Sequence, residues 1–372
     1  MATLSARIAA SRMKTRIGAA AGSWLARSFP RRAHRRILVG YTPNRISWSQ
    51  IYPLFHYAEE IRAAIGAEIR AVPLERLGEA RITAAADTIL LQPWYTMIDG
   101  RLARVIEALD RRAPQARLSV LDPGAHADLR LARDLPDRLY RFGKKAVFRD
   151  HAHYHRLWRG DTNLSDYYGA LGGLSAAPVD FRPPAGFEDK LALMPSFFTD
   201  PRFIHAFARP APPPQTGRSL DIQTRLGRHG LDWYEVMRGR AIEAVDRLEG
   251  VRRSPDGAVP HGAYITEMAQ SKLCFSPFGY GELCWRDIEA ILTGAVLIKP
   301  DMSHLETRPE LYEAGVTYLP IAWDYSDLEE VVRRALADAE LRSGIAIEAW
   351  RRIAGYLEEN RFVGDITALV GR

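Results

Sequence analysis

The residues with the strongest chemical potential in this chain fall in one stretch: Ser276-Pro277-Phe278-Gly279-Tyr280-Gly281-Glu282-Leu283-Cys284-Trp285-Arg286-Asp287-Ile288-Glu289. Gly294 and the apolar run Ala295 to Ile298 follow it. Read physically, it is a buried strand, a glycine turn and a helix. Gly279 and Gly281 allow positive φ and close backbone approach, while a helix N-terminus offers free N–H groups and a favourable dipole to phosphate. Tyr280 and Glu282 sit within that turn. Arg286 and Glu289 are three apart and share a helix face, where a guanidinium can grip a diphosphate and a carboxylate can accept sugar or ribose hydroxyls. The competing reading is a surface ion pair on an ordinary helix. A second loop, Thr224-Arg225-Leu226-Gly227-Arg228-His229-Gly230, also follows a strand and precedes a helix, and it is rich in glycine and base.

These loops need strands and helices to aim them. Short apolar β-rich runs at 36–40, 67–72, 88–92 and 118–122 alternate with helical patterns at 48–65 and 102–109, which implies a parallel sheet with right-handed crossovers. From 150 to 200 the periodicity is poor, and the stretch reads as long loops with short helices. The proline run at 210–214 cannot continue a helix and marks a boundary. Beyond it, strands are predicted at 220–224, 272–276, 295–298 and 316–319, with helices at 233–248, 285–292, 328–337 and 345–357. The expected organisation is a basic segment over 1–35, a Rossmann-like acceptor-side domain over 36–208, a linker over 209–217, and a Rossmann-like donor-binding domain over 218–372. The fold class is α/β, two Rossmann-like domains facing a cleft.

The stretch from Tyr264 to His304 resembles the C-terminal signature of exostosin-like glycosyltransferases. In that family a glycine turn precedes an arginine, then a glutamate-alanine three residues on, then a glycine and a β-run. Arg286, Glu289-Ala290, Gly294 and Ala295 to Ile298 match these positions one by one. The resemblance implies the GT-B architecture, a nucleotide-sugar donor and a glycan or glycolipid acceptor. It implies a donor site made by Gly279, Tyr280, Gly281, Glu282, Arg286 and Glu289, with Arg225 and Gly227 of the earlier loop touching the diphosphate. A solvated basic turn is the plainer reading of that loop. Many retaining relatives carry a second glutamate eight positions before the one at Glu289. Gly281 stands there in this chain, which points to inversion.

Inverting transfer requires a base for the acceptor hydroxyl. Asp122 ends a predicted strand and precedes Pro123-Gly124, with His126 and Asp128 close behind, so this turn is one candidate. Asp161 or Asp166, in a polar-aromatic loop suited to a sugar ring, is the other. His151, His153 and His155 read as a surface loop. The chain contains no Asp-x-Asp triplet, so no metal or other cofactor is expected, and arginines and helix dipoles would neutralise the leaving diphosphate. A nucleotide-sugar epimerase of the same fold and a non-catalytic sugar-nucleotide binder are the rival readings.

Bulk composition narrows the class further. At 372 residues and 47% hydrophobic content the chain can bury two cores. It has no apolar run long enough to span a bilayer. Cys274 and Cys284 lack metal or disulfide spacing, which fits a reducing cytoplasm. The net charge of +6 is concentrated at the start, because no acidic residue precedes Glu59. With Trp24 and Phe29 interleaved among arginines, residues 1–35 suit an anionic membrane surface; a basic tail or a targeting peptide are the alternatives. Nucleic acid is not an expected partner.

Overall fold

The computed structural model describes residues 28–371, except 98–99, 199–201, 208–211, 228–229 and 231. Most of the basic opening segment and part of the proline-rich linker therefore lie outside the described residues. The first sheet runs β2 (Ala67–Pro73), β1 (Arg35–Tyr41), β3 (Thr88–Gln92), β4 (Arg117–Leu121), β5 (Arg141–Lys144) and β9 (Leu191–Leu193), all parallel. Helices α1 (Arg45–His56), α2 (Ala58–Ile65) and α3 (Arg101–Arg112) make the early crossovers. All five residues of β3 are buried, as a strand covered on both faces requires. The single helix predicted over 48–65 is divided at Tyr57, whose N–H caps α1 on the Pro53 carbonyl at 2.9 Å.

The poorly periodic region contains more structure than its sequence suggests. It holds β7 (Trp158–Arg159), α4 (Asn163–Leu171), β8 (Pro178–Val179) and β9, with β6 (Ala146–Phe148) just before it and α5 (Arg202–Ala206) just after. Strands of two or three residues are too short to show alternation.

The second sheet runs β10 (Leu220–Gln223), β11 (Ser271–Phe275), β12 (Val296–Pro300) and β14 (Leu319–Ile321), again parallel. Arg253 bridges Ile222 in parallel fashion. Around this sheet lie α6 (Asp232–Asp246), α7 (His261–Ala269), α8 (Trp285–Thr293), α9 (Leu328–Ala337) and α10 (Ala339–Glu358). The molecule thus carries two Rossmann-like parallel sheets, the α/β arrangement of a GT-B fold.

Several contacts between secondary-structure elements join the halves. β13 (Leu305–Thr307) pairs antiparallel with β6. α4 packs on α6, with Gly172 lying directly against Val236. The last helix, α11 (Arg361–Val370), returns to the first sheet, where Ser119 Oγ donates to the Leu369 carbonyl at 2.7 Å and Phe362 packs on Tyr57.

Candidate active site

The chain leaves β10, bridges outward through Arg253, and returns through α7 to β11 on the other side. The strand order therefore reverses between β10 and β11, and the crevice outside the carboxyl ends at such a point is where open α/β sheets take ligands. Arg286, in the first turn of α8, spans that crevice. Its guanidinium donates to the Phe275 carbonyl at 3.0 Å and to the Arg225 carbonyl at 2.5 Å. Beside it lies a cavity of about 690 Å³ walled by Arg286 and the loop Thr224 to Gly227. Leu226, Ile242, Val245, Val259 and Tyr264 give it an apolar floor, and Asp246 and Asp256 line it as well.

The Arg225 side chain is committed to the protein. Its Nε and Nη2 contact Glu267 at 2.7–3.1 Å, and its Nη1 donates to the carbonyls of Asp256 and Gly257 at 3.1 and 2.6 Å. It therefore builds the cavity wall. Gly227 lines the cavity with open space where a Cβ would stand. Glu289 is buried and meets His261 Nε2 at 2.8 Å, so Arg286 and Glu289 take separate partners instead of forming a surface pair.

The glycine turn differs from its sequence reading in one respect. Neither Gly279 nor Gly281 adopts positive φ. Gly281 is needed for close approach, since a Cβ there would stand 2.1 Å from the carbonyl oxygen of Ala125 in the first domain. Gly279 N–H donates to the Gly281 carbonyl at 3.1 Å, and the exposed Tyr280 ring stacks on Tyr234 at 4.8 Å. The start of α8 is already met by the protein's own carboxylate. Asp287 accepts from Cys284 N–H at 3.1 Å, Ser276 Oγ at 2.6 Å and Tyr312 at 2.7 Å, with Lys299 at 3.1 Å. A helix end so neutralised is a poor seat for diphosphate, which leaves the Arg286 guanidinium as the favourable charge.

Where Gly281 touches Ala125, the two domains bring a polar cluster together. Glu282 is 1% exposed. Its Oε1 accepts from Asn163 Nδ2 at 2.7 Å and lies 3.6 Å from His304 Nε2. Burial pushes its carboxyl up, but His304 and the Asn163 amide more than offset this and hold it below the usual range. His126 faces the same cluster. Its Nδ1 is buried without a hydrogen-bond partner, and burial, followed by the charge of Arg130, lowers its pKa, so the imidazole stays neutral near pH 7.

The carboxylates nearby are engaged. Asp122 is buried against Lys144 and also accepts from Gly124 N–H at 2.8 Å. Lys144 in turn donates to the carbonyls of His126 and Asp128 at 3.1 and 2.8 Å, fixing the loop. Asp128 is clamped by Arg130 at 2.7 and 2.9 Å. Burial alone would raise its pKa, yet Arg130 brings it below the ordinary value. Asp161, 40% exposed, is 3.2 Å from the same arginine. Asp166 accepts from Arg159 N–H at 3.3 Å. His155 pairs with Glu188 at 2.6 Å, and His153 stacks on Trp158.

Four residues to which the sequence reading gave no role shape the site: Asn163, His304, Lys144 and Lys145. Lys145 Nζ donates to the Pro123 carbonyl at 3.3 Å, and burial pushes its ammonium down to about 8. His304 closes the stretch that carries the exostosin-like resemblance, and its nearness to Glu282 is set only by folding.

No protein-family model matches the chain, and neither does any curated protein. Among solved structures, one similar fold is the crystal structure of the GtfA/B complex, with 12% identity and a TM-score of 0.38. That match covers 76% of this chain and 56% of the other, so the chain spans about half the length of that relative. A second is WaaG, a glycosyltransferase involved in lipopolysaccharide biosynthesis, with 12% identity and a TM-score of 0.38, covering 91% of this chain and 100% of the other. Likeness at this level is too slight to carry substrate or mechanism.

Proposed function

We propose that this protein is a glycosyltransferase moving a sugar from a nucleotide-sugar to a glycan or glycolipid acceptor, by inversion and without a metal. The observation that carries the reading is the crevice at the second sheet's strand reversal, spanned by Arg286. It lies one helix turn from the glycine loop that meets the first domain at Ala125. The apolar floor suits a nucleobase, and Arg286 suits the diphosphate, whose growing charge in the transition state it would stabilise. His126 is the base of this reading, because burial and Arg130 keep it neutral, whereas Asp122 and Asp128 already serve cations. The exostosin-like match at Arg286, Glu289-Ala290 and Gly294 supports the same class.

Thermal shift against a panel of nucleotide-sugars tests the class, since a ligand at a hundredfold its Kd adds about 2.7 kcal/mol. The reacting donor should then transfer equally well with EDTA. Activity abolished by EDTA and restored by Mn²⁺ overturns metal independence, and a product NMR spectrum with the donor's anomeric configuration kept overturns inversion.

A further inference from the structure

The amino-terminal edge of the first sheet, opposite the ends that meet the second domain, gathers positive charge. Arg35 opens β1, Arg117 opens β4, Arg141 opens β5 and Lys190 directly precedes β9. Together with Tyr140 they line an open cavity of about 820 Å³. Among the described residues, none of the four has a carboxylate within ion-pair distance. Their donors go to main-chain carbonyls: Arg35 to Val370 and Gly371, both at 2.6 Å, Arg117 to Val370 at 3.2 Å, Arg141 to Asp189 at 3.0 Å, and Lys190 to Asp137 at 2.7 Å. The guanidiniums of Arg117 and Arg141 both lie over the Tyr140 ring, at 4.5 and 5.1 Å.

Two carboxylates line the same cavity, but Asp87 accepts from the Arg36 N–H at 2.8 Å and Asp189 pairs with none of the four cations. Capping accounts for part of the cluster, because Arg35 and Arg117 meet the carbonyl end of α11. It does not account for Arg141 and Lys190, which lie away from that helix end. The four cations still outnumber the two carboxylates on this concave face, and an anion would offset the excess of like charge.

We propose that this cavity binds a small, multiply charged phosphate compound, held by Arg117, Arg141 and Lys190. Guanidiniums suit it because their planar forks match phosphate oxygens. The site is separate from the donor crevice, and it touches the point where α11 docks on the first sheet.

The test is calorimetric titration of sodium tripolyphosphate into the full chain at low salt. It is run in the Arg286→Ala background so that the donor crevice does not compete, with and without Arg141→Gln and Lys190→Gln together. Neither of these side chains bonds α11, and Lys190→Gln alone serves as a milder variant should the pair disturb folding. The expected result is binding in the Arg286→Ala chain that weakens at least about tenfold with both changes, and several-fold with Lys190→Gln alone. Absence of binding in the Arg286→Ala chain, or equal affinity with and without the changes, overturns the proposal. So does pelleting with phosphatidylserine vesicles that the changes abolish while tripolyphosphate does not bind, because the face would then be a membrane contact.

Discussion

At the scale of single residues, two side chains bear on the proposed transfer in different ways. Arg286 acts on charge that grows as the diphosphate leaves, so Arg286→Ala should cut kcat by about 10²–10³-fold. Arg286→Lys should recover little, since an ammonium cannot hold the Phe275 and Arg225 carbonyls and a phosphate with one planar fork. Steady-state kinetics on folded variants checks both, and near-parental rates would displace the donor site. His126 acts on a proton. Burial and Arg130 lower its pKa, so the active neutral form persists below the ordinary imidazole range of about 6.5. kcat/KM should therefore stay level through neutrality and fall only as pH drops through that lowered value. A profile that falls on the alkaline side alone, or a His126→Ala chain with undiminished rate, would remove His126 as base. The sequence already marked the turn that holds it, but Asp122 and Asp128 looked equally suitable. What separates them is Lys144 and Arg130, whose partners become visible only when β5 and the loop before it are folded.

At the scale of elements, the contact between the glycine loop and the turn after β4 is the feature on which the two domains depend at the site. A methyl at position 281 would stand 2.1 Å from the Ala125 carbonyl oxygen. Backbone on both sides leaves no flexible end to yield, so the loops must part. Gly281→Ala should leave the cavity beside Arg286 able to bind donor, because its walls come from the second domain alone. It should lower transfer sharply, because Glu282 would separate from Asn163 and His126. The check is donor Kd against kcat: an unchanged kcat refutes the arrangement. Elements of this kind differ in how readable they are. β3 and α8 sit where sequence periodicity places them, within a residue. β5 and β9, which complete the first sheet, carry only Arg-Phe-Gly-Lys and Leu-Ala-Leu, too little for alternation to register. α7 and α11 fall in stretches that the sequence reading left unassigned; they are held by tertiary packing, α7 on α8 and α11 on the first sheet.

At the scale of the whole molecule, charge is placed unevenly, and the structure shows where a cut can be made. Residues 28–34 are tied to the first sheet, since Arg70 donates to the Ser28 carbonyl at 2.9 Å and its guanidinium lies 5.9 Å from the Phe29 ring. Arg35 holds the end of α11. Phe29, read with Trp24 as interleaved in a membrane-contacting segment, is partly packed against the core. A deletion that probes the basic segment without loosening the fold ends at position 27. It removes Arg7, Arg12, Lys14, Arg16, Arg27 and Trp24. Each basic residue near an anionic surface contributes about 1 kcal/mol, so losing five should lower partitioning into phosphatidylserine vesicles by between three and four orders of magnitude, about 5 kcal/mol. The donor crevice is lined by residues between Thr224 and Arg286, so melting temperature and nucleotide-sugar binding should stay near parental. Salt separates this attraction from apolar insertion: the full chain should leave the vesicles as ionic strength rises past the point where the Debye length shrinks to about 8 Å. Full-length protein that ignores such vesicles at low salt would show the segment to be a tail or an address.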